Sequence, residues 1–373
     1  NLPKGDARLS GFVLQRRTGS SSSSSSRLGQ RNSITETKTI FARRDIRSSS
    51  FADISEFKFD EHFVWQKKVG SGSFADVWAV LHKDRQDEAY AVKVLKREFG
   101  SKRERAVYLR EVELANKLPP HPHIVGYYRA WQAAQIMYVQ LELCSGGSLR
   151  ELMSSEDLTV PTAKPTIWRL VQQVASALGH VHAHGMLHAD VKPDNILLAP
   201  DKGIFKLGDL GQAAMLSTWD ESSEGDSRYL SRDLLQSEPT ASADIFSFGI
   251  TLLEVCSGKS LPGVGAEWER LRADELPVEW TLRLADTDPL LVSLMTCMMR
   301  KKAAARPAAP AVVDTAVQAT SMVLDASRQA LASRLLPNLS RRGSAALELL
   351  QAARRIPGRL SSPLKSPLAS PVA

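Results

Sequence analysis

The sequence predicts an α+β chain in which a β-rich lobe and a larger helical lobe enclose a cleft, with disordered tails at both ends. Short β-type runs and one charged helical stretch fill residues 63–141, and apolar residues at spacings of three and four take over from about residue 165. Strands that precede helices, rather than alternate with them, are typical of two separately packed parts. We predict a domain over 56–320, with one lobe over about 60–143 and the other over about 144–320.

The first lobe is predicted to hold five strands and one helix. The strand-like runs lie at 63–65, 77–80, 89–94, 124–131 and 136–141, and the helical stretch covers about 102–118.

Both ends of the chain are predicted to be disordered. Residues 1–55 contain a serine run over 20–26 and few apolar residues in any period, so folding would bury too little apolar surface to offset the lost conformational entropy. Residues 321–373 are expected to continue a helical pattern that covers about 309–335 and then to be disordered. Three Ser-Pro steps and an Arg-Arg-Gly-Ser step occur there, so we expect regulatory kinases to act on the tails.

The positive charge is concentrated in the tails. Residues 1–60 and 337–373 each carry +5, so the segment between them carries −3 of the formal total of +7. Basic low-complexity tails without a recognised nucleic-acid module do not support nucleic-acid binding. The three cysteines form no CxxC pair, which argues against a zinc site and suits a reducing compartment. Since no apolar run reaches the roughly 18 residues of a membrane span, we predict neither a nucleic-acid nor a membrane partner.

A glycine-rich turn between two strand-like runs is a candidate for phosphate binding. Gly70 and Gly72 would let the backbone approach phosphates and direct N–H groups at them, although glycine pairs are also common in hairpin turns. Ala75 stands where a third glycine would be expected, and no GK[ST] follows, which excludes a Walker A loop. The candidate nucleotide-binding residues here are Val69, Gly70, Ser71, Gly72, Ser73, Phe74 and Val77.

Lys93 stands alone among the apolar residues of a strand-like run, where a cation is costly unless it is paired or bound to a ligand. Glu111, in the helical stretch, is the natural partner, and Glu113 is the alternative on another face of the helix. A lysine on an edge strand that reaches water would explain the residue without any function. The upstream glycines favour a phosphate contact.

Residues 140–149 are predicted to connect the two lobes. Leu141 would lie behind a bound adenine, with the backbone of Glu142 to Cys144 pairing with its edge, and Ala91 is a further candidate contact. A strand that ends in a Gly-Gly turn would have the same geometry without a ligand.

The most specific motif is His188-Ala189-Asp190-Val191-Lys192-Pro193-Asp194-Asn195, which is followed by Asp209-Leu210-Gly211. These segments resemble the H-R-D-x-x-x-x-N catalytic loop and the D-F-G of protein kinases.

The kinase resemblance implies a role for each polar residue of the motif. Asp190 would accept the proton of the acceptor hydroxyl, Lys192 would neutralise the transferring phosphoryl group, and Asn195 and Asp209 would bind Mg²⁺. The Lys93–Glu111 pair would orient the phosphates of ATP, so the predicted cofactors are ATP and Mg²⁺.

Three further residues fit the kinase resemblance as structural supports. Asp244 matches the buried aspartate that braces the catalytic loop, and Asp233 stands in place of the glutamate of A-P-E, with Arg306 as its expected partner.

Segments outside the general kinase motifs resemble the Wee family more specifically. They are Glu224-Gly225-Asp226-Ser227-Arg228-Tyr229-Leu230, Asp209-Leu210-Gly211, the aromatic stretch at 126–131, and Trp268 followed by Glu275-Leu276-Pro277. The resemblance implies inhibitory tyrosine phosphorylation of a cyclin-dependent kinase in complex with cyclin, which restrains mitosis. It also implies a nuclear location, alone or shared with the cytoplasm, because no apolar anchor of the membrane-attached Myt branch follows the kinase motifs here.

The catalytic loop itself leaves the acceptor open. Lys192 in Asp-x-Lys-Pro is of the serine/threonine type, so only the Wee resemblance implies tyrosine. A Ser/Thr kinase related to the kinases of a translation initiation factor is one alternative. A pseudokinase that acts as a scaffold is another, since Ala75, Ala189 and Leu210 depart from the general pattern.

Ala189 replaces the arginine that normally clasps a phosphate on the activation loop. We therefore hypothesise that this loop is held without phosphorylation, with Glu224, Asp226 and Arg228 as an internal charge arrangement.

Overall fold

The computed structural model describes residues 37–42, 59–85, 87–133, 136–154, 164–200, 203–219, 225–236 and 240–339, with the backbone alone at 37–42, 218 and 331–339.

A six-stranded antiparallel sheet with the strand order β1-β5-β6-β4-β3-β2 forms the first lobe. Its elements are β1 (Thr37–Ala42), α1 (Phe59–His62), β2 (Phe63–Ser71), β3 (Ala75–His82), β4 (Ala89–Leu95), α2 (Lys102–Lys117), β5 (Tyr127–Ala133) and β6 (Ile136–Glu142). The register between neighbouring strands places Ala91 opposite Leu141 and Lys93 opposite Val77. Because side chains alternate along a strand, these residues share one face of the sheet.

Helix α2 begins at a cap that the sequence provides. Ser101 accepts a hydrogen bond from the backbone N–H of Glu104 at 3.1 Å, which satisfies one of the free amides of the first turn. The helix buries one stripe that includes Val112, Leu114 and Ala115, and Glu111 belongs to this buried stripe whereas Glu113 is exposed. The 3.6-residue period of the helix therefore selects Glu111 as the carboxylate that reaches the cleft.

The second lobe is mainly helical. Its elements are α3 (Leu149–Met153), α4 (Lys164–Ala183), β7 (Met186–Leu187), β8 (Ile196–Leu198), β9 (Phe205–Leu207), β10 (Ala214–Met215), α5 (Arg232–Gln236), α6 (Ser242–Ser257), α7 (Ala266–Arg270), α8 (Val278–Arg283), α9 (Pro289–Met298) and α10 (Ala309–Leu339).

Helix α6 lies at the centre of this lobe and is buried on nearly every side. Its hydrophobic sequence follows from that position, since each large apolar side chain taken out of water contributes about 1.5–3 kcal/mol. Helix α4 packs its apolar stripe, including the fully buried Trp168, against this core and α10. These helices form a rigid support for the loops that carry the candidate catalytic residues.

The predicted fold class is confirmed, and two predicted boundaries are corrected. The strand expected at 124–131 is β5 at Tyr127–Ala133, because Ile124 instead lies in a bridge to Leu207 of the second lobe. The N–H of Val125 donates to the carbonyl of Leu207, and the N–H of Leu207 donates to the carbonyl of His123. Six residues of the segment 1–55 predicted as disordered form β1. The edge of β5 offers unpaired backbone groups that a stretch with β-branched and aromatic residues can bond. The predictions for the remainder of 1–55 and for 340–373 lie outside the described residues.

The predicted helix at about 309–335 is present as α10. None of the helices in the described part of the chain combines the length and the apolar character that crossing a bilayer requires.

Candidate active site

The glycine-rich turn lies between β2 and β3, at one end of the sheet face that carries Lys93. The backbone N–H of Gly72 donates to the carbonyl of Ala75 at 2.9 Å, and a Cβ on Gly72 would meet only that carbonyl, at 3.7 Å. A side chain would therefore fit at position 72 without a clash, so the fold does not require glycine there. The absence of a side chain leaves that space open toward the cleft. Phe74, at the tip of the turn, is 64% exposed, and Ala75 is buried, which explains why an apolar residue can stand in place of a third glycine.

Lys93 lies at the centre of a three-charge cluster. Its Nζ is 3.0 Å from Oε1 and Oε2 of Glu111 and 2.9 Å from Oδ1 of Asp209. Burial alone would lower the pKa of Lys93, but the two carboxylates raise it well above its usual value. Lys93 in turn holds the pKa of Asp209 at about 2. The predicted Lys93–Glu111 pair is present, and it brings the β-sheet, α2 and the Asp-Leu-Gly segment together.

Tyr127 connects the same elements from behind, and the sequence did not reveal it. Its hydroxyl donates to Oε1 of Glu111 at 3.1 Å and accepts from the backbone N–H of Leu210 at 3.0 Å. The ring is 4% exposed, and its burial raises the pKa of the hydroxyl well above the usual value. Tyr127 therefore fixes the position of α2 relative to Asp209. The residue type does not separate Tyr127 from the neighbouring Tyr128; only the register of β5 determines which of the two hydroxyls reaches Glu111.

The predicted connection between the lobes has the expected course. Leu141 pairs with Ala91 across adjacent strands. The carboxylate of Glu142 accepts from the backbone N–H of Gly126 at 3.1 Å and lies 2.9 Å from Nζ of Lys206, so these two groups hold its side chain. The thiol of Cys144 is partly buried, which raises its pKa to about 12. The side chain of Glu142 is thus held by the protein, and its backbone N–H donates to the carbonyl of Gly126 at 2.8 Å.

The catalytic loop brings Asp190, Lys192 and Asn195 into direct contact. Nζ of Lys192 lies 2.9 and 2.7 Å from the two carboxylate oxygens of Asp190, and Nδ2 of Asn195 donates to Oδ2 and to the backbone carbonyl of Asp190 at 2.7 and 2.8 Å. The carboxylate is 10% exposed. These donors fix the Asp190 carboxylate as a hydrogen-bond acceptor, which is the form a general base requires.

Asn195 and Asp209 are suited to hold a divalent metal such as Mg²⁺. The backbone N–H of Gly208 donates to the carbonyl of Asn195 at 2.8 Å, and the pairing of β8 with β9 closes the hairpin between them. Both donors on Nδ2 of Asn195 are used by Asp190, so its amide oxygen is the atom left for a metal. The carboxylate of Asp209 is 46% exposed toward the cleft. One carboxylate and one amide oxygen form the hard oxygen set that Mg²⁺ prefers.

A buried aspartate braces the catalytic loop as predicted. Asp244 is 1% exposed and accepts hydrogen bonds from the backbone N–H groups of His188 and Ala189 at 2.9 Å each and from Nε2 of His182 at 2.8 Å. Burial alone would raise the pKa of Asp244, but these donors hold it below its usual value. They also fix the backbone of Ala189, whose φ of 62° is left-handed and strained for a residue with a side chain.

Ala189 lies in an apolar cluster rather than beside a charge. It is 3% exposed. The cluster consists of Leu187, Ala189, Leu230, Leu234 and Ala243, with Leu216 and Trp219 packed against it. The activation segment (residues 209–233) is thus attached to the catalytic loop by apolar contacts at the position where an arginine would bind a phosphate.

A charge pair lies within the end of the activation segment. Arg228 contacts Asp226 through Nε and Nη2 at 2.9 and 2.5 Å, and although burial opposes the change, Arg228 lowers the pKa of Asp226. This is the internal charge arrangement that the sequence suggested, with Glu224 outside the described residues. A Cβ on Gly225 would come within 2.7 Å of the carbonyl of Ala189, so glycine permits close contact between this segment and the catalytic loop.

Tyr229, Glu254 and Arg150 form a second network that sequence reasoning missed. The hydroxyl of Tyr229 donates to Oε2 of Glu254 at 2.6 Å, and Arg150 donates to both carboxylate oxygens of Glu254 at 3.0 and 3.1 Å and to the Tyr229 hydroxyl. Arg150 also lies 3.3 Å from Asp194 of the catalytic loop. The three residues are far apart in the sequence, and no motif links them.

The expected partner of Asp233 is Arg306. Its Nη1 and Nη2 contact the two carboxylate oxygens of Asp233 at 3.0 and 2.5 Å, and Nε donates to the carbonyl of Arg300 at 2.7 Å. This bidentate pair attaches the end of the activation segment to the loop before α10, as predicted.

Comparison with known proteins agrees with this geometry. The model of the protein kinase domain family matches residues 63–317. A probable protein kinase of Dictyostelium discoideum is 34% identical over 251 aligned positions, and the alignment covers 58% of this chain and 32% of the relative. The membrane-associated tyrosine- and threonine-specific cdc2-inhibitory kinase wee-1.3 of Caenorhabditis elegans is 34% identical over 241 residues, which are 64% of this chain and 34% of the relative.

The Wee1-like protein kinase 1-B of Xenopus laevis is 30% identical over 310 aligned positions, and the alignment covers 76% of this chain and 50% of the relative. The chain thus spans between about one third and one half of the length of these relatives. Membrane-associated and Wee1-like kinases both occur among them, so the choice of the soluble branch stays a prediction. The chain belongs to the protein kinase family, and its predicted resemblance to the Wee kinases is confirmed by these relatives.

Proposed function

We propose that this protein kinase transfers the γ-phosphate of ATP to a tyrosine of a cyclin-dependent kinase in complex with cyclin, and so restrains entry into mitosis. The observation that carries the proposal is the similarity to relatives that are named cdc2-inhibitory and Wee1-like kinases. The general reaction class rests on the kinase family match. A nuclear location, alone or shared with the cytoplasm, accompanies the proposal as a prediction.

The geometry of the cleft supports phosphoryl transfer from ATP. Lys93 is fixed by Glu111 so that its cation can contact phosphate oxygens, and Gly72 leaves space beside it for the phosphates. Asn195 and Asp209 would hold Mg²⁺, which supplies positive charge to the phosphate oxygens. Asp190 and Lys192 lie in direct contact, so an acceptor hydroxyl that hydrogen-bonds to Asp190 meets a base and a cation at once.

The end of the activation segment supports the Wee-type assignment. Gly225, Asp226 and Arg228 belong to the sequence that resembles the Wee family, and they lie beside the catalytic loop. The Arg228–Asp226 pair and the close approach of Gly225 to Ala189 support the hypothesis that this segment needs no phosphate. The Asp-x-Lys-Pro sequence around Lys192 favours a second candidate, a serine/threonine acceptor, and one relative is named both tyrosine- and threonine-specific.

The experiment that tests the proposal maps the acceptor directly. The purified chain is incubated with Mg²⁺ and ATP and with a catalytically dead cyclin-dependent kinase bound to cyclin, and the phosphate is located by mass spectrometry. We expect phosphotyrosine in the glycine loop of the substrate, and its loss in Asp190→Asn. Asp325→Asn is the control, because Asp325 is exposed and pairs with Arg328 on α10.

Other outcomes would revise the proposal in distinct ways. Transfer to serine or threonine alone would keep the kinase and discard the tyrosine assignment. Transfer that persists in Asp190→Asn at the wild-type rate would remove the assigned base.

A further inference from the structure

Arg272 is a buried arginine whose hydrogen bonds, among the described residues, all go to backbone carbonyls. It is 1% exposed. Its Nε donates to the carbonyl of Leu230 at 2.7 Å, and its Nη2 donates to the carbonyls of Arg228 and Ser227 at 2.9 and 3.2 Å. Nη1 donates to the carbonyl of Trp268 at 3.2 Å. Three of the four acceptors therefore belong to the end of the activation segment.

The environment of Arg272 makes its charge costly to keep. Burial, with a smaller effect from Arg232, lowers the pKa of Arg272 to about 9. Among the described residues no carboxylate forms an ion pair with it. The guanidinium is instead stacked 3.8 Å from the ring of Trp268 and lies 5.4 Å from that of Phe246, and carbonyl dipoles and ring faces offset part of the cost. Because an apolar residue of similar volume often gives equal or greater stability at such a site, stability alone does not account for this arginine.

Other donors hold the same stretch. Nε1 of Trp268 donates to the carbonyl of Ser227 at 2.9 Å, and the hydroxyl of Ser247 donates to the carbonyl of Tyr229 at 2.9 Å. The backbone N–H of Tyr229 donates to the carbonyl of Asp226 at 2.9 Å. Every carbonyl of residues 226–230, which we call the anchored segment, therefore accepts a hydrogen bond from the protein. Donors anchored outside the segment hold all but the first.

The anchored segment lies next to the catalytic loop, since Leu230 belongs to the same apolar cluster as Ala189. It follows Gly225, which touches the backbone of the catalytic loop one residue before Asp190. A shift of this segment would move the surface beside Asp190, while Lys93, Asn195 and Asp209 would keep their positions on the sheet and hairpin. The position of the segment thus bears on the protein acceptor and not on ATP.

We propose that Arg272 is a positioning residue that sets the placement of the protein acceptor through the carbonyls of the anchored segment. The inference rests on the proposed function only in requiring a protein acceptor, whatever its acceptor residue. Because Arg272 is 1% exposed, we expect it to contact neither ATP nor the acceptor. It acts on the reaction by fixing the backbone against which the acceptor lies.

Kinetics of Arg272→Met and Arg272→Lys test the proposal. We expect the kcat/KM for the protein acceptor to fall about 10- to 100-fold, because a small displacement at a site remote from the chemistry has effects of that size. The KM for ATP and the slow hydrolysis of ATP without acceptor should change less than about twofold. Lysine keeps the charge but not the planar fork, so Arg272→Lys should recover only part of the loss. Arg270→Met is the matched control, since Arg270 lies two residues earlier, is exposed and pairs with Glu275.

A second variant and a second measurement guard against a chain that fails to fold. Trp268→Phe keeps a ring beside the guanidinium and removes only the bond from Nε1 to Ser227, so we expect the same kinetic pattern at smaller size, with an unchanged melting temperature. Hydrogen exchange of the wild type and Arg272→Met should show faster exchange in residues 226–230 and unchanged exchange in 190–195. This readout needs no acceptor, so it separates failure of the inference from failure of the proposed function.

Two results would overturn the inference. If acceptor-free ATP hydrolysis fell in parallel with transfer, Arg272 would be a general structural residue. If exchange in 226–230 and the acceptor kinetics were both unchanged, the carbonyl contacts would not position the segment.

Discussion

The two ends of the cleft hold their functional groups by different means. At the ATP end, the cation of Lys93 is enclosed by the carboxylates of Glu111 and Asp209 within 3.0 Å. At the acceptor end, the buried cation of Arg272 is bound by neutral carbonyls of the backbone. The first arrangement holds a cation where a bound ligand can contact it, whereas the second fixes the position of a backbone against which a ligand can bind.

The difference shows how each end depends on its environment. Carboxylates raise the pKa of Lys93, so its charge is secured by the protein. Burial without a carboxylate lowers the pKa of Arg272 to about 9, so its charge is held at a cost. We infer that the ATP end responds mainly to changes of charge and the acceptor end mainly to changes of shape.

The largest effect on turnover is expected at the ATP end. Lys93→Met should lower the turnover number by about 100-fold or more, because it removes a preorganised cation from the transferring phosphate. The same change leaves Glu111 buried without its cation. Turnover and ATP binding, measured separately on the purified variant, check this prediction.

Lys67→Met is the control for Lys93→Met, since Lys67 is an exposed lysine of the same sheet. A Lys93→Met variant that kept more than about a tenth of the wild-type turnover would contradict an electrostatic role of this size.

An effect on stability rather than on turnover is expected where the activation segment meets the catalytic loop. Ala189→Arg would place a guanidinium in the apolar cluster, and an uncompensated buried charge costs about 3–5 kcal/mol in the free energy of unfolding. Chemical denaturation measures the change. Ala189→Gly is the matched variant, because glycine adopts the φ of 62° without strain and loses only one methyl group. If Ala189→Arg were as stable as the wild type, the apolar cluster would accommodate a charge without cost, and this prediction would be wrong.

The residue types in the sequence predicted the functional groups at the ATP end better than those at the acceptor end. A lysine among apolar residues, an acidic loop with Asn195 and the Asp-Leu-Gly step carry their chemistry in the sequence itself, and the fold places them together as expected. Tyr127 and Arg272 were missed because their partners are backbone atoms or residues distant in sequence. Every residue has a backbone carbonyl, so no pattern of residue types shows which carbonyl accepts a hydrogen bond from a side chain. Strand β1 was missed because the unpaired edge that it bonds is a property of the assembled sheet.

The smallest effect is expected from removal of phosphate. Ala189 cannot clasp a phosphate, the Asp226–Arg228 pair already supplies a charge contact, and Arg272 fixes the carbonyls nearby. Treatment of the purified chain with a phosphatase should therefore change transfer to the protein acceptor by less than about twofold. Mass spectrometry before and after treatment confirms that phosphate was removed.

The outcome of the phosphatase treatment decides whether the acceptor end requires phosphorylation for activity. Ser222→Ala and Ser223→Ala variants, at positions outside the described residues, should behave as the treated wild type does. A loss of activity on treatment that returns after incubation with ATP would show that a phosphate completes the segment. The carbonyl contacts of Arg272 would then be necessary for the active arrangement but insufficient for it, and the contrast between the two ends would lie in regulation as well as in charge.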